Sequence, residues 1–173
     1  MRVESVEADS TRFRRTAATL LYPFLMPTFW DATARDVFCQ RVARLTPDMP
    51  ARWGRFNAAQ MVAHLNDAMR MTSGELPVAP KNTPLRYWPV RKLVIYVLPF
   101  PKGAPTAPEL LARCGVADLA TEQAVFRTLA ERVAAKPSTD AWPAHPAFGA
   151  LTYADWGTLA YRHTDHHLKQ FGV

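Results

Sequence analysis

The chain has 173 residues, enough for one domain with a real core, and 49% of them are hydrophobic, far above the composition of a disordered protein. Its formal charge of +6 raises the question of a nucleic-acid or anionic-membrane partner. Arg2, Arg12, Arg14 and Arg15 crowd the start, but Arg41, Arg44, Arg52, Arg55, Arg86, Arg91 and Lys92 are dispersed among apolar residues as solvated charge, so neither a specific nucleic-acid nor a membrane partner is expected.

In chain order, the basic cluster ending at Arg15 and the apolar residues 17–26 bear a loose likeness to a signal peptide. Pro23 and Pro27 interrupt the apolar stretch, and the Ala-x-Ala site at Ala32 and Ala34 lies inside what reads as the first helix. Translation from Met26 fits better, making residues 1–25 an upstream extension, with residues 1–28 set apart from a single domain over 29–173. No apolar run reaches the ~18 residues that cross a bilayer. Cys39 and Cys114 lie far apart without CxxC spacing, so neither a disulfide nor a thiolate knuckle is expected, and a reducing cytoplasm suits the chain.

Four segments repeat apolar residues at three and four positions, which makes the fold class all-α. The first covers about 31–45, with Val37, Phe38, Val42 and Leu45 on one stripe and Pro47 as the stop. The second opens at Asn57, which forms a capping-box pattern with Gln60, and runs to about Thr72 before Gly74. Prolines then crowd residues 76–108, eight of the chain's fifteen, around one short segment near 91–98. That stretch is too apolar for a linker: Tyr87, Trp88, Val94, Ile95, Tyr96 and Phe100 call for packing over the helices as a lid or a partner surface. The third helix covers about 118–135, with Val125, Leu129 and Val133 as its stripe and Pro137 beyond its end. The fourth starts at Thr152, paired with Asp155 in a near capping box, and continues to about Phe171.

Histidine placement carries the chemistry. Each helical residue turns about 100°, so His163 and His167 project from one side, one turn apart, where two imidazoles can chelate one ion. Trp156, Leu159 and Ala160 share their stripe, which places them on the inward face. On the second helix His64 aligns with Asn57, Gln60, Met61, Asp67, Ala68 and Met71, and so also looks inward. Three imidazoles from two helices make an incomplete shell, the arrangement of a reactive rather than a structural metal site. Against this, HxxxH alone also fits satisfied core histidines, and HExxH is absent. His166 reads as flanking, and His145 as a rim or satisfied loop histidine. Asp67 and Gln60 are candidate acceptors for ring N–H groups, and Asp67 and His166 candidate general bases, while Cys39 and Cys114 read as small core residues.

The run Trp53-Gly54-Arg55-Phe56-Asn57-Ala58-Ala59-Gln60-Met61-Val62-Ala63-His64-Leu65, then His145-Pro146-Ala147-Phe148-Gly149, Trp156, and His163-Thr164-Asp165-His166-His167-Leu168-Lys169-Gln170-Phe171-Gly172, resembles the DinB-like superfamily from about Asp31 onward. More closely, it resembles an uncharacterised bacterial branch. The resemblance implies a four-helix bundle connected up-down-down-up and a divalent ion, zinc or nickel with iron as an alternative, on His64, His163 and His167. It also implies thiol-transferase-like or hydrolase-like chemistry on a small-molecule substrate, with a low-molecular-weight thiol as a candidate cosubstrate. The proline-rich insertion between the second and third helices departs from simpler members, so the substrate does not carry over. A homodimer, a non-catalytic metal-stabilised binding or stress-response module, and a DNA-associated protein are the other expectations to be tested.

Overall fold

The computed structural model describes residues 26–111 and 114–173, so the upstream extension read at residues 1–25 lies outside the described residues. The described chain is all-helical: α1 (Ala32–Ala43), α2 (Ala58–Ser73), α3 (Trp88–Tyr96), α4 (Leu119–Ala135) and α5 (Tyr153–Gln170), with three short 3-10 turns. The one β-type pairing described is an isolated bridge between His145 and Gly149. Among the described residues, no helix is long and apolar enough to cross a membrane.

Local chemistry explains the helix ends. At α2 the Asn57 side chain accepts from Gln60 N at 2.9 Å while Gln60 Oε1 accepts from Asn57 N at 3.0 Å, satisfying two backbone donors that a helix start leaves free. Thr152 and Asp155 do the same at α5, and Asp118 accepts from Thr121 N at α4. The insertion's helix starts earlier than the expected position near residue 91, because Pro89 sits in its first turn. A proline there loses no hydrogen bond and is already set for helical φ, so it opens the helix rather than delaying it.

The main core gathers Phe38 and Val42 of α1, Met61, Val62 and Leu65 of α2, Phe126, Leu129 and Val133 of α4, and Leu168 of α5. Burying each of these large side chains contributes roughly 1.5–3 kcal/mol, and this apolar seam is what sets α2 against α5. One expectation fails on α1, where Val37 is 46% exposed although it was read on the core stripe. The inward stripe is Arg35, Phe38, Cys39 and Val42. Arg35 can lie inside because its Nη1 donates to the Phe29 and Trp30 carbonyls and its Nη2 reaches Glu131.

The insertion packs against α5 through only part of its apolar content: Ile95 is buried and Val94, Tyr96 and Phe100 pack beside it, but Tyr87 and Trp88, expected to pack over the helices, are 71% and 66% exposed. Ile95 joins Met71, Phe148, Trp156 and Leu159 in a second core cluster. Polar clasps fix its orientation: Lys92 Nζ and Tyr96 Oη donate to Asp155 Oδ1, and Arg162 of α5 donates to the carbonyls of Val94, Ile95 and Leu98. Burial works to raise the Asp155 pKa, but Lys92, Tyr96 and Thr152 outweigh it and hold the carboxyl below its ordinary value. Burial and the same carboxylate push the Tyr96 phenol up to about 12, so it stays a donor. Residue 100 is thereby carried over the last turns of α5, where the histidines lie.

Candidate metal centre

The two helices that carry the histidines bring them together. His64 projects from the second turn of α2 and is 4% exposed, while His163 and His167, one turn apart on α5, are partly buried. One ligand atom from each lies within 4.8 Å of the others. The rings meet edge to face, with centroids 5.1 Å apart for His64 and His163, 4.9 Å for His64 and His167, and 4.7 Å for His163 and His167.

His64 Nε2 and His163 Nε2 are 3.1 Å apart. Two nitrogens on one tetrahedral zinc, with Zn–N near 2.05 Å, stand about 3.3 Å apart, so this pair is close to the spacing of two ligands on a shared ion.

Electrostatics prepares the same state. Burial is the first cause lowering all three histidines. Neighbouring imidazoles add to it, taking His163 well below its ordinary value and His167 to about 3. For His64 the Leu110 carbonyl and the Asp67 carboxylate pull the other way without overcoming burial. Three neutral imidazoles near neutral pH are the protonation state that ligates a cation. The chemistry of the donors, their convergence and their charge therefore fit a divalent metal ion.

The other sequence candidates fall around this cluster. The Asp67 carboxylate, 1% exposed, pairs with Arg70 Nη1 at 2.7 Å and acts on His64 through its field rather than joining the cluster. Gln60 was read as an acceptor for a ring N–H, but its side-chain oxygen is engaged in the α2 cap. His166 stands at the edge of the site, its ring 5.6 Å from Trp53, 6.0 Å from Phe100 and 5.4 Å from His167. His145 Nδ1 accepts from Ala147 N and Phe148 N, which makes it a hydrogen-bonded loop histidine. Cys39 and Cys114 are buried thiols, and burial raises the Cys39 thiol above its ordinary range.

Sequence reasoning missed the residues that frame the site. Phe56 packs against His64 and His167, with centroids 5.3 Å and 6.1 Å away, and Lys102 Nζ lies 4.5 Å from the centre of the Trp53 ring. Gln170 Oε1 sits 2.9 Å from His167 Nδ1. Its position three residues after His167 was the available signal, since that spacing on a helix places two side chains side by side. A surface cavity of about 380 Å³, lined by Pro27, Asp31, Val37, Arg41 and Tyr161 among others, includes none of the three histidines in its wall.

Comparison with curated proteins and with solved structures gives no match. A family model does match, over residues 28–172, a span that includes all five helices and every histidine of the cluster. The chain therefore belongs to the family described as proteins of unknown function (DUF1569).

Proposed function

We propose that this protein is a divalent-metal-dependent enzyme, with the ion held by His64, His163 and His167 in a DinB-like four-helix bundle of α1, α2, α4 and α5 connected up-down-down-up. The observation that carries the reading is the ligand count: among the described residues the group able to hold an ion contains three histidines and no fourth His, Cys, Asp or Glu. An incomplete protein shell leaves a place for solvent or substrate, as in catalytic rather than structural sites. Zinc or nickel suits three imidazoles, and iron is the alternative.

When bound, the ion supplies Lewis acidity that lowers the pKa of a thiol or a water toward neutrality. The chain's own groups do the rest. Phe56 packs against the rings of His64 and His167, and the insertion brings Phe100 beside His166. His166 is the candidate for proton transfer, because its burial is partial and desolvation, opposed by Asp165 but helped by Lys102 and Lys169, lowers its pKa and leaves a neutral base at the edge of the site. Asp67, held by Arg70, keeps a negative field behind His64. The substrate is a small molecule, with a low-molecular-weight thiol as cosubstrate in the transferase form of the reading and water as the nucleophile in the hydrolase form. A cytoplasmic location and a homodimer belong to the same proposal.

The low exposure of His64 favours a second reading, a non-catalytic module in which the ion only ties α2 to α5. Cobalt substitution separates the two. Titration of the cobalt form with small thiols should shift its visible absorption as an exchangeable position is taken up. A spectrum indifferent to thiols, azide and pH would mean a filled site and would sink the enzyme reading in favour of the structural one.

A further inference from the structure

Gln170 is 3% exposed at the C-terminal end of α5, one turn beyond His167. Three contacts hold it. Its Oε1 lies 2.9 Å from His167 Nδ1, its Nε2 donates to the Trp53 carbonyl at 2.6 Å, and its own carbonyl accepts from Arg52 N at 2.7 Å. The Trp53 carbonyl can only accept, so the amide nitrogen must face it and the amide oxygen must face His167. A ring nitrogen opposite an oxygen acceptor carries the proton. His167 is therefore the Nδ1–H tautomer, and the lone pair left on Nε2 is the one available to His64 and His163.

The turn that makes this possible needs a glycine. Gly54 has φ +79°, and a Cβ there would stand 2.5 Å from Gln170 Nε2. Any other residue would be strained and would push the amide off the Trp53 carbonyl. The loop before α2 and the end of α5 are thus locked together at the amide that orients a ligand.

We propose that Gln170, aimed by the Trp53 carbonyl at the Gly54 turn, is the positioning residue that sets the His167 tautomer and thereby the affinity of the three-histidine site for a divalent ion. This rests on the metal-centre reading above. Outer-layer partners of this kind commonly change metal affinity by about 10–100-fold when removed.

The test compares the full chain with Gln170→Leu and Gly54→Ala in two measurements. Long-range ¹H–¹⁵N spectra of the metal-free proteins report which His167 nitrogen carries hydrogen, and competition with a chromophoric chelator reports zinc affinity. Wild type should show Nδ1–H alone. Gln170→Leu should move His167 toward Nε2–H and weaken zinc binding by about 10–100-fold. Gly54→Ala should move both in the same direction although Gln170 and all three histidines are present. A merely structural role would leave the tautomer unchanged. An Nε2–H His167 in wild type, or an unaltered tautomer and zinc affinity in the variants, overturns the proposal. If Gln170→Leu fails to fold, the wild-type spectrum and Gly54→Ala, which alters an exposed loop, decide it. A wild type that takes up no zinc removes the metal centre itself, and the tautomer spectra still judge the positioning role.

Discussion

Replacing His163 by alanine should remove the zinc-dependent gain in stability while leaving a folded chain. His64 comes from α2, and His163 and His167 come from α5, so an ion on all three joins two helices that are far apart in an unfolded chain. A ligand that binds only the folded form adds RT ln(1 + [L]/Kd), about 2.7 kcal/mol when free zinc is about a hundredfold above Kd. In a domain of this size 1 kcal/mol moves the midpoint by about 2–4 °C, so zinc should raise the wild-type Tm by roughly 5–11 °C. The two imidazoles left in His163→Ala bind far more weakly, and at the same zinc concentration the rise should shrink to about 2 °C or less. The assay is calorimetry of chelator-stripped protein with and without zinc. Each variant's metal-free melt serves as its own reference, which cancels the cavity left by the missing ring. An equal zinc-dependent rise in wild type and variant would refute the reasoning, as would no rise in wild type.

Asp155→Ala should destabilise the chain by about 2–4 kcal/mol in urea unfolding, because it removes half of the α5 capping box and strips Tyr96 Oη and Lys92 Nζ of their shared acceptor. A loss no greater than that of an ordinary surface substitution would show that the insertion is not clasped there. Gly157→Ala should cost about 1–3 kcal/mol of thermal stability, since a Cβ would meet Trp30 Nε1 at 2.4 Å and the indole is held in place by its bond to the Tyr153 carbonyl. A neutral or stabilising alanine would contradict that packing. Burial lowers the His145 pKa to about 4, so as pH falls below 6.5 the unfolded imidazole binds its proton before the folded one does. The contribution of His145 to stability is then fully present above 6.5 and lost on the way down to 4, by at most about 3 kcal/mol. Urea midpoints of metal-free wild type and His145→Ala across that window should diverge accordingly, and parallel profiles would rule it out.

Much of the helical layout was legible because its signals are local. The Asn57–Gln60 and Thr152–Asp155 boxes act within one turn of chain, and each marks a helix start in the structure where the sequence does. The same holds for the alignment of His163 with His167, which depends only on helical geometry. Errors arose where a neighbour decides. Val37 and Phe38 are adjacent and both apolar, and which of them turns inward depends on where α4 and α5 lie against α1. Gln60 and Gln170 are chemically alike, yet one closes a helix cap and the other faces a histidine, a difference set by the Trp53 carbonyl more than a hundred residues from Gln170.

By itself the sequence determined that this protein is helical, where its long helices begin, and which three histidines can face one another, because caps, breakers and the helical period work over a few residues. The tertiary structure alone decided that His64 Nε2 comes within 3.1 Å of His163 Nε2, that the insertion folds back onto Asp155 and Arg162, and that Gln170 rather than Gln60 contacts a ring of the histidine cluster. Those contacts join segments distant in sequence, and they depend on how the apolar seams of α1, α2, α4 and α5 pack, which no short window of sequence contains.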